Sequence, residues 1–317
     1  MAWRHDRTPY PFGLRVPRKR RRISAFFKIL TVLTLVCGGL VAGGYYVMQS
    51  IKPIDLTPPP PPSGCTVASG DGTDDLDLEQ GANAATIGGV AFSKDLPDHA
   101  VVVAYATVWQ ESKFHNIEHG DRDSLGLFQQ RPSMEWGDPG QIIDPVYSSG
   151  EFYDKLVEIP DYRELPVYEA AQAVQRSADG FAYDQHERRS RAMMSAFTGQ
   201  DGPAVTCWFE EDAGNAENAG NAEGAGVAEE GAGPDVAAAQ EEMLRVFGTD
   251  PAQLPVAEQP RTGDLGWAMA LWAVTHAQEY GLSSVTYGDQ RWSAADGRAG
   301  WSAVEGGPAP EGQVVLD

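Results

Sequence analysis

The chain has 317 residues, 42% of them hydrophobic, enough for a real core and for one or two domains. Asp and Glu outnumber Lys and Arg 45 to 24, a net charge of -21. Ten of the cations lie in residues 1–52 against Asp6 alone, so that segment carries about +9 and the remainder about -30. A remainder this acidic excludes nucleic acid as a partner, because nothing in it neutralises phosphates.

Arg15, Arg18, Lys19, Arg20, Arg21 and Arg22 precede an apolar run, Ile23 to Met48, whose only charge is Lys28. The run exceeds the roughly 20 residues needed to cross a hydrocarbon core. Val41-Ala42-Gly43 is the nearest small-residue cleavage candidate, but Tyr45, Tyr46 and Val47 continue the apolar stretch. The pattern predicts an uncleaved transmembrane helix over 23–48 with a cytoplasmic basic tail over 1–22. The basic cluster before the span and the single Lys52 after it place the N-terminus in the cytoplasm and the rest outside. Gly38-Gly39 and Gly43-Gly44 would let a second helix approach closely, and are also ordinary membrane-helix composition.

Pro58 to Pro62 read as a semi-rigid polyproline stretch, and Ser69 to Asp77 as a polar, acidic continuation, so 49–84 is expected to be a spacer. Globular composition is expected over 85–208. Pro97 suits a first helical turn, and Val101, Val102, Tyr105, Val108 and Trp109 then share one face of a helix that ends at Glu111. Residues 116–124, with Gly120 among charged neighbours, read as a loop. A short strand or hairpin is expected near Leu125 to Gln129. Helical patterns resume over Val146–Val157, Val167–Ala178 and Tyr183–Phe197, punctuated by Asp144-Pro145, Pro160, Pro166 and Asp179-Gly180.

Residues 209–235, rich in Ala, Gly, Asn and Glu, are too poor in large apolar groups to fold and read as a disordered linker. A small α/β module is expected over 236–317: a helix from about Gly263 to Tyr280, a hairpin of Ser284–Tyr287 and Arg291-Trp292 around Gly288-Asp289, and strands near Trp301 and Val314–Leu316. Its role is expected to be binding or interaction, with plain packing of its tryptophans as the alternative to sugar stacking. Cys37 lies in the span; Cys65 and Cys207 lie outside it and bracket the globular segment. In an oxidising compartment they are expected to pair and close that domain.

The stretch from Trp109 to Gln130 carries the chemistry. Cleaving a glycosidic bond needs a protonated acid beside the leaving oxygen, and a carboxyl keeps its proton near neutral pH when shielded from water. Glu111 lies at a helix end next to Trp109 and Phe114, and the glycine turn Ser124-Leu125-Gly126-Leu127-Phe128-Gln129 could bring donors alongside. In that turn Gly126 allows close passage, Phe128 packs beneath the acid, and Gln129 or Gln130 could bond an N-acetyl or hydroxyl group.

Glu111-Ser112 followed by Ser124 to Gln129 resembles the paired Glu-Ser and Gly-Leu-Met-Gln signatures of soluble lytic transglycosylases and goose-type lysozymes, with Phe128 where Met is usual. Gln175-Arg176-Ser177 and Phe181-Ala182-Tyr183 resemble a variant of the third signature, Ala-Tyr-Asn, with Asp184 in place of Asn. The wording around Trp-Gln-Glu-Ser is similar to that of membrane-anchored and secreted wall proteins of actinobacteria. The resemblance covers about 120 residues and implies a mainly α, lysozyme-like domain acting on peptidoglycan glycan strands. It also implies Glu111 as general acid and base and Tyr183 facing it. Ser112, Ser124, Gly126, Phe128, Gln129, Gln130, Gln175 and Tyr183 would form the substrate-binding set. A second acid, for which Asp121, Asp123 and Asp144 are available, would give hydrolysis; without one, attack by the sugar's own 6-hydroxyl would leave a 1,6-anhydro end. The alternative function is a non-catalytic wall-binding or scaffold domain, with cell-envelope proteins as further partners and the bilayer engaged through residues 23–48.

His115-Asn116-Ile117-Glu118-His119 matches the H-x-x-E-H pattern of inverted zinc proteases, which needs a helix to align the histidines. Asn116, Gly120 and Asp121 favour a loop, so neither metal nor other cofactor is expected. His186 and His276 have no paired spacing and read as surface or satisfied core residues.

Overall fold

The computed structural model describes residues 21–50, 63–70, 72–177, 180–209, 234–254, 262–304 and 307–317. The basic tail before residue 21, the polyproline stretch, nearly all of the 209–235 linker, Ala178 and Asp179 lie outside these residues.

The chain divides into two units, residues 1–60 and 61–317. In the first, helix α1 runs from Arg21 to Ser50, and its segment Ala25–Tyr46 is apolar enough to cross a membrane. Its 22 residues span about 33 Å at 1.5 Å each, matching a hydrocarbon core of about 30 Å.

The second unit is mainly α. Strands β1 (Gly64–Ser69) and β2 (Gly72–Leu76) form a hairpin, and β3 (Val205–Trp208) pairs antiparallel with the other edge of β1. Cys65 and Cys207 face each other in that register and form a disulfide. This corrects the expected domain start at residue 85: the acidic tract read as spacer is β2, whose Asp74 and Asp75 point outward while Leu76 enters the core.

Helix α2 (Leu78–Ser93) follows at once. It opens with a capping box, Asp77 accepting from the Gln80 N–H at 2.8 Å and Gln80 Oε1 accepting from the Asp77 N–H at 3.1 Å. From Gly81 to Ala91 nearly every residue is buried, and most are Gly or Ala. That smallness is what lets neighbours close in: a Cβ on Gly89 would lie 2.4 Å from Val246 and 2.9 Å from Phe247. Against α2 pack α3 (Asp98–Glu111), α5 (Pro145–Val157), α7 (Glu187–Phe197), α8 (Val236–Phe247) and α9 (Leu265–Thr275). Between them come short α4 (Pro139–Ile143), α6 (Val167–Gln175) and a 3-10 turn, Gly180–His186. Tyr183, expected to start a long helix, sits in that turn; α7 begins only at Glu187.

The residues after 234 are not a separate module. Beyond α9 come α10 (Ala277–Tyr280), β4 (Ser284–Tyr287), β5 (Gln290–Ser293), β6 (Ser302–Ala303) and β7 (Val315–Leu316), the strands ordered β6-β5-β4-β7 in one sheet. Their tryptophans are sunk into the common core and bond to it. Trp272 Nε1 donates to Thr86 Oγ1 of α2 at 3.1 Å, Trp292 Nε1 to the Cys207 carbonyl at 3.1 Å, and Trp301 Nε1 to the Val205 carbonyl at 2.8 Å. Packing, not sugar stacking, accounts for these rings. His276 is a core residue stacked on Trp272, 3.9 Å between ring centroids, with Thr86 and Thr275 at its nitrogens.

Candidate active site

Helix α3 is buried from Ala100 to Trp109 and reaches the surface at its two ends. Its last residue, Glu111, is half-buried. The chain then leaves the helix through two consecutive left-handed residues, Lys113 (φ +56°) and Phe114 (φ +65°). Such backbone is costly for residues with side chains and persists where the surroundings enforce it. Here α2 enforces it: Gln80 Nε2 donates to the Lys113 carbonyl at 2.9 Å and Asn83 Nδ2 to the Phe114 carbonyl at 2.8 Å. Phe114 is thereby driven inward against Trp109, ring centroids 5.0 Å apart.

The Tyr183 hydroxyl donates to Glu111 Oε1 at 2.8 Å, and only 1% of Tyr183 is exposed. The 3-10 turn after α6 therefore brings the third sequence signature onto the first. Burial raises the Glu111 pKa above the ordinary carboxylate value, and the Tyr183 hydrogen bond offsets part of that rise. With Oε1 engaged by a donor, Oε2 is the oxygen left to carry a proton.

The glycine turn is fixed from three sides. Leu125 and Gln130 exchange backbone hydrogen bonds of 2.9 and 3.0 Å, a single antiparallel bridge where a short hairpin is expected. Ser112 Oγ donates to the Leu127 carbonyl and Gln175 Nε2 to the Phe128 carbonyl, both at 2.8 Å. Gly126 has φ +73°, and a Cβ there would lie 2.7 Å from the Ile142 carbonyl, so glycine is required twice over.

Several residues of the expected substrate-binding set serve the turn instead. Phe128 is fully buried and stacked on Phe152 at 4.5 Å. Gln130 is 1% exposed and donates to the Ser148 carbonyl at 2.9 Å. Ser112 and Ser124 are also buried. All four lie in the interior, and Ser112 and Gln130 spend their donors on backbone carbonyls that would otherwise be left unpaired there. Gln129 is half-buried and donates to the Gly126 carbonyl at 3.2 Å. Gln175 is likewise half-buried, its amide holding the turn.

The candidate second acids are accounted for. Asp123 accepts from Arg131 Nε at 2.7 Å and from the Ser133 N–H at 2.9 Å, and Ser133 and Arg131 hold its carboxyl well below the usual range. Asp144 caps α5 through the Val146 N–H and pairs with Arg245 of α8 at 2.8 Å. Asp121 is exposed beside Arg122. Residues 115–119 are irregular, and His115 turns to Glu79 at 2.9 Å, so His115 and His119 do not share a helix face.

Two neighbours of the acid escaped the sequence reading. Gln110 Oε1 lies 3.1 Å from His186 Nε2 and 3.3 Å from Gln185 Nε2, tying the outer face of α3 to the turn that carries Tyr183. The Arg189 guanidinium stacks 3.7 Å above the Trp109 ring and pairs with Asp74 of β2 at 3.0 Å. The Gln110–Gln185 register could be anticipated only by knowing which turn faces α3; the cation over Trp109 left no local trace. No protein-family profile matches the chain, and no curated protein is significantly similar to it.

Proposed function

We propose that this protein is a membrane-anchored, lysozyme-like enzyme that cleaves the glycan strands of peptidoglycan with Glu111 as acid and then base. The observation that carries the reading is the Tyr183–Glu111 hydrogen bond: a half-buried carboxyl with a raised pKa, one oxygen held and the other available. In this reading Glu111 passes its proton to the leaving glycosidic oxygen as the C1–O bond breaks. The resulting carboxylate takes the proton of the 6-hydroxyl as that oxygen bonds to C1, and the product is a 1,6-anhydro end. Engagement of Asp123 and Asp144 elsewhere supports this route over hydrolysis, which would need a free base to activate water. The apolar helix and the disulfide support single-pass anchoring with residues beyond the span outside the cytoplasm. The basic residues that precede the span support a cytoplasmic N-terminus.

The test is digestion of purified peptidoglycan by the full chain in detergent micelles, beside Glu111→Gln, with mass analysis of the products. Anhydro ends made by the wild type and lost in the variant support the reading. Reducing ends would replace the intramolecular step by hydrolysis. No release by either protein, with both folded and bound to the polymer, would leave a wall-binding scaffold.

A further inference from the structure

A cavity of about 380 Å³ opens beside the glycine turn, between the loop after Arg131 and the ends of α5 and α6. Gln129 and Gln175, the two half-buried amides of the glycine turn, line it. Its floor is Trp136, 8% exposed, with the Lys155 ammonium 4.2 Å above the ring. Arg131 and Arg176 also border it.

Three features set this cavity apart. First, the part of the chain beyond residue 52 is strongly acidic, yet here three cations, Arg131, Lys155 and Arg176, meet two acids, Glu135 and Glu158. Second, Arg131 is paired with Asp123, whereas Lys155 and Arg176 have no acidic partner among the described residues. Third, whereas Glu135 and Arg176 are left-handed because each caps the end of a helical turn, Gln129 (φ +50°) lines it in left-handed backbone without being glycine. Residues held in this way cluster where a ligand is gripped.

In a peptide-substituted strand the muramyl lactyl carboxyl is tied up as an amide, so the sugars themselves give Lys155 and Arg176 no charge to bind. The short peptides carried on the muramyl residues of peptidoglycan supply carboxylates, and their aliphatic parts suit a Trp and Met-lined floor. We propose that this cavity is a subsite for the carboxylate-bearing peptide arm of the wall polymer. It would direct cleavage to peptide-substituted strands. The inference rests on the peptidoglycan reading above, but its test does not depend on cleavage.

The experiment is equilibrium binding, by calorimetry, to full-chain Glu111→Gln protein in detergent micelles. The ligands are a disaccharide peptide, the same disaccharide stripped of its peptide with the freed lactyl carboxyl capped as a simple amide, and the free peptide. The peptide-bearing disaccharide should bind about tenfold more tightly than the stripped one, the advantage shrinking with added salt. Lys155→Gln combined with Arg176→Asn, the latter chosen because Asn accepts left-handed backbone, should remove that advantage and leave binding of the stripped disaccharide unchanged. Equal binding of the two disaccharides, or an advantage that survives the double substitution, overturns the subsite. An unchanged melting temperature shows that loss of binding is not loss of fold. Binding that behaves as expected while the wild type cleaves nothing sinks the catalytic reading and leaves the subsite standing.

Discussion

The end of α3 and the loop facing it each present one carboxyl, and the structure drives the two in opposite directions. Glu111 is half-buried at the end of its helix and receives one neutral hydroxyl donor, so burial wins and its pKa rises. Asp123 is exposed and receives a guanidinium, a hydroxyl and a backbone N–H, so its charged form wins. Lying a few residues either side of one loop, they show that residue type and sequence neighbourhood do not decide which acid holds a proton. The number and charge of donors do, together with the water each carboxyl keeps.

That contrast breaks first at Glu111. Glu111→Gln should lower the rate of glycan cleavage by roughly 10²–10⁴-fold, as loss of a general acid does, measured as products released per unit time. Asp123→Asn should change the rate only slightly; comparable losses would refute the assignment of one as acid and the other as strut.

Stability should move the opposite way. Glu111 has a raised folded pKa, so its penalty is absent in acid and grows as pH rises through that pKa. Glu111→Gln should therefore raise the melting temperature at neutral pH and leave it unchanged well below pH 4. Asp123, with its depressed pKa, contributes above the ordinary carboxylate range and loses the contribution in acid. Asp123→Asn should accordingly lower the melting temperature at neutral pH.

Tyr183→Phe sharpens the comparison by removing the hydroxyl that donates to Glu111. Because that bond lowers the pKa, its loss should shift the basic limb of the pH–rate profile upward and cost about tenfold in rate. A lower rate with an unmoved profile would make Tyr183 merely structural.

His276, far from both carboxyls, is the control for titration of the fold. Burial pushes its pKa down to about 4 from 6.5. Stability should be flat above pH 6.5 and fall by up to about 1.4 kcal/mol per pH unit between there and 4, as the unfolded chain takes a proton the core refuses. Urea titrations across that range, flattened in His276→Gln, would check it.

Helices with large apolar residues were legible. Val101, Tyr105, Val108 and Trp109 mark α3 and end it at Glu111, and α5 and α7 follow the same logic. Helix α2 was not, because Gly81, Ala84, Ala85, Gly88 and Gly89 give no large-residue stripe although all are buried. The acidic β2 hid behind Asp74 and Asp75 because this short edge strand sends only Leu76 fully into the core and leaves its other residues wholly or partly in water. In the site, the pairing of Tyr183 with Glu111 was expected from the likeness of motifs. The burial of Gln130 and Phe128 was not, since a sequence does not say which side of a turn faces inward. Joining of residues 234–317 to the same core depends on contacts such as Trp272 with Thr86, across nearly two hundred positions, which no local pattern records.

The position of the disulfide has a mechanical consequence. Cys65 is the second residue of β1, the first strand met by any load arriving along the chain from the N-terminal helix. Tension on that side passes through a covalent cross-link to β3 once the single pair Gly64–Trp208 outside it has parted, and α3 and Glu111 lie beyond the clamp in the chain. A tethered enzyme working on a taut polymer would keep its acid in register under force. Reduction of Cys65–Cys207 should lower the unfolding force in single-molecule pulling from the N-terminus, and an unchanged force would remove this role.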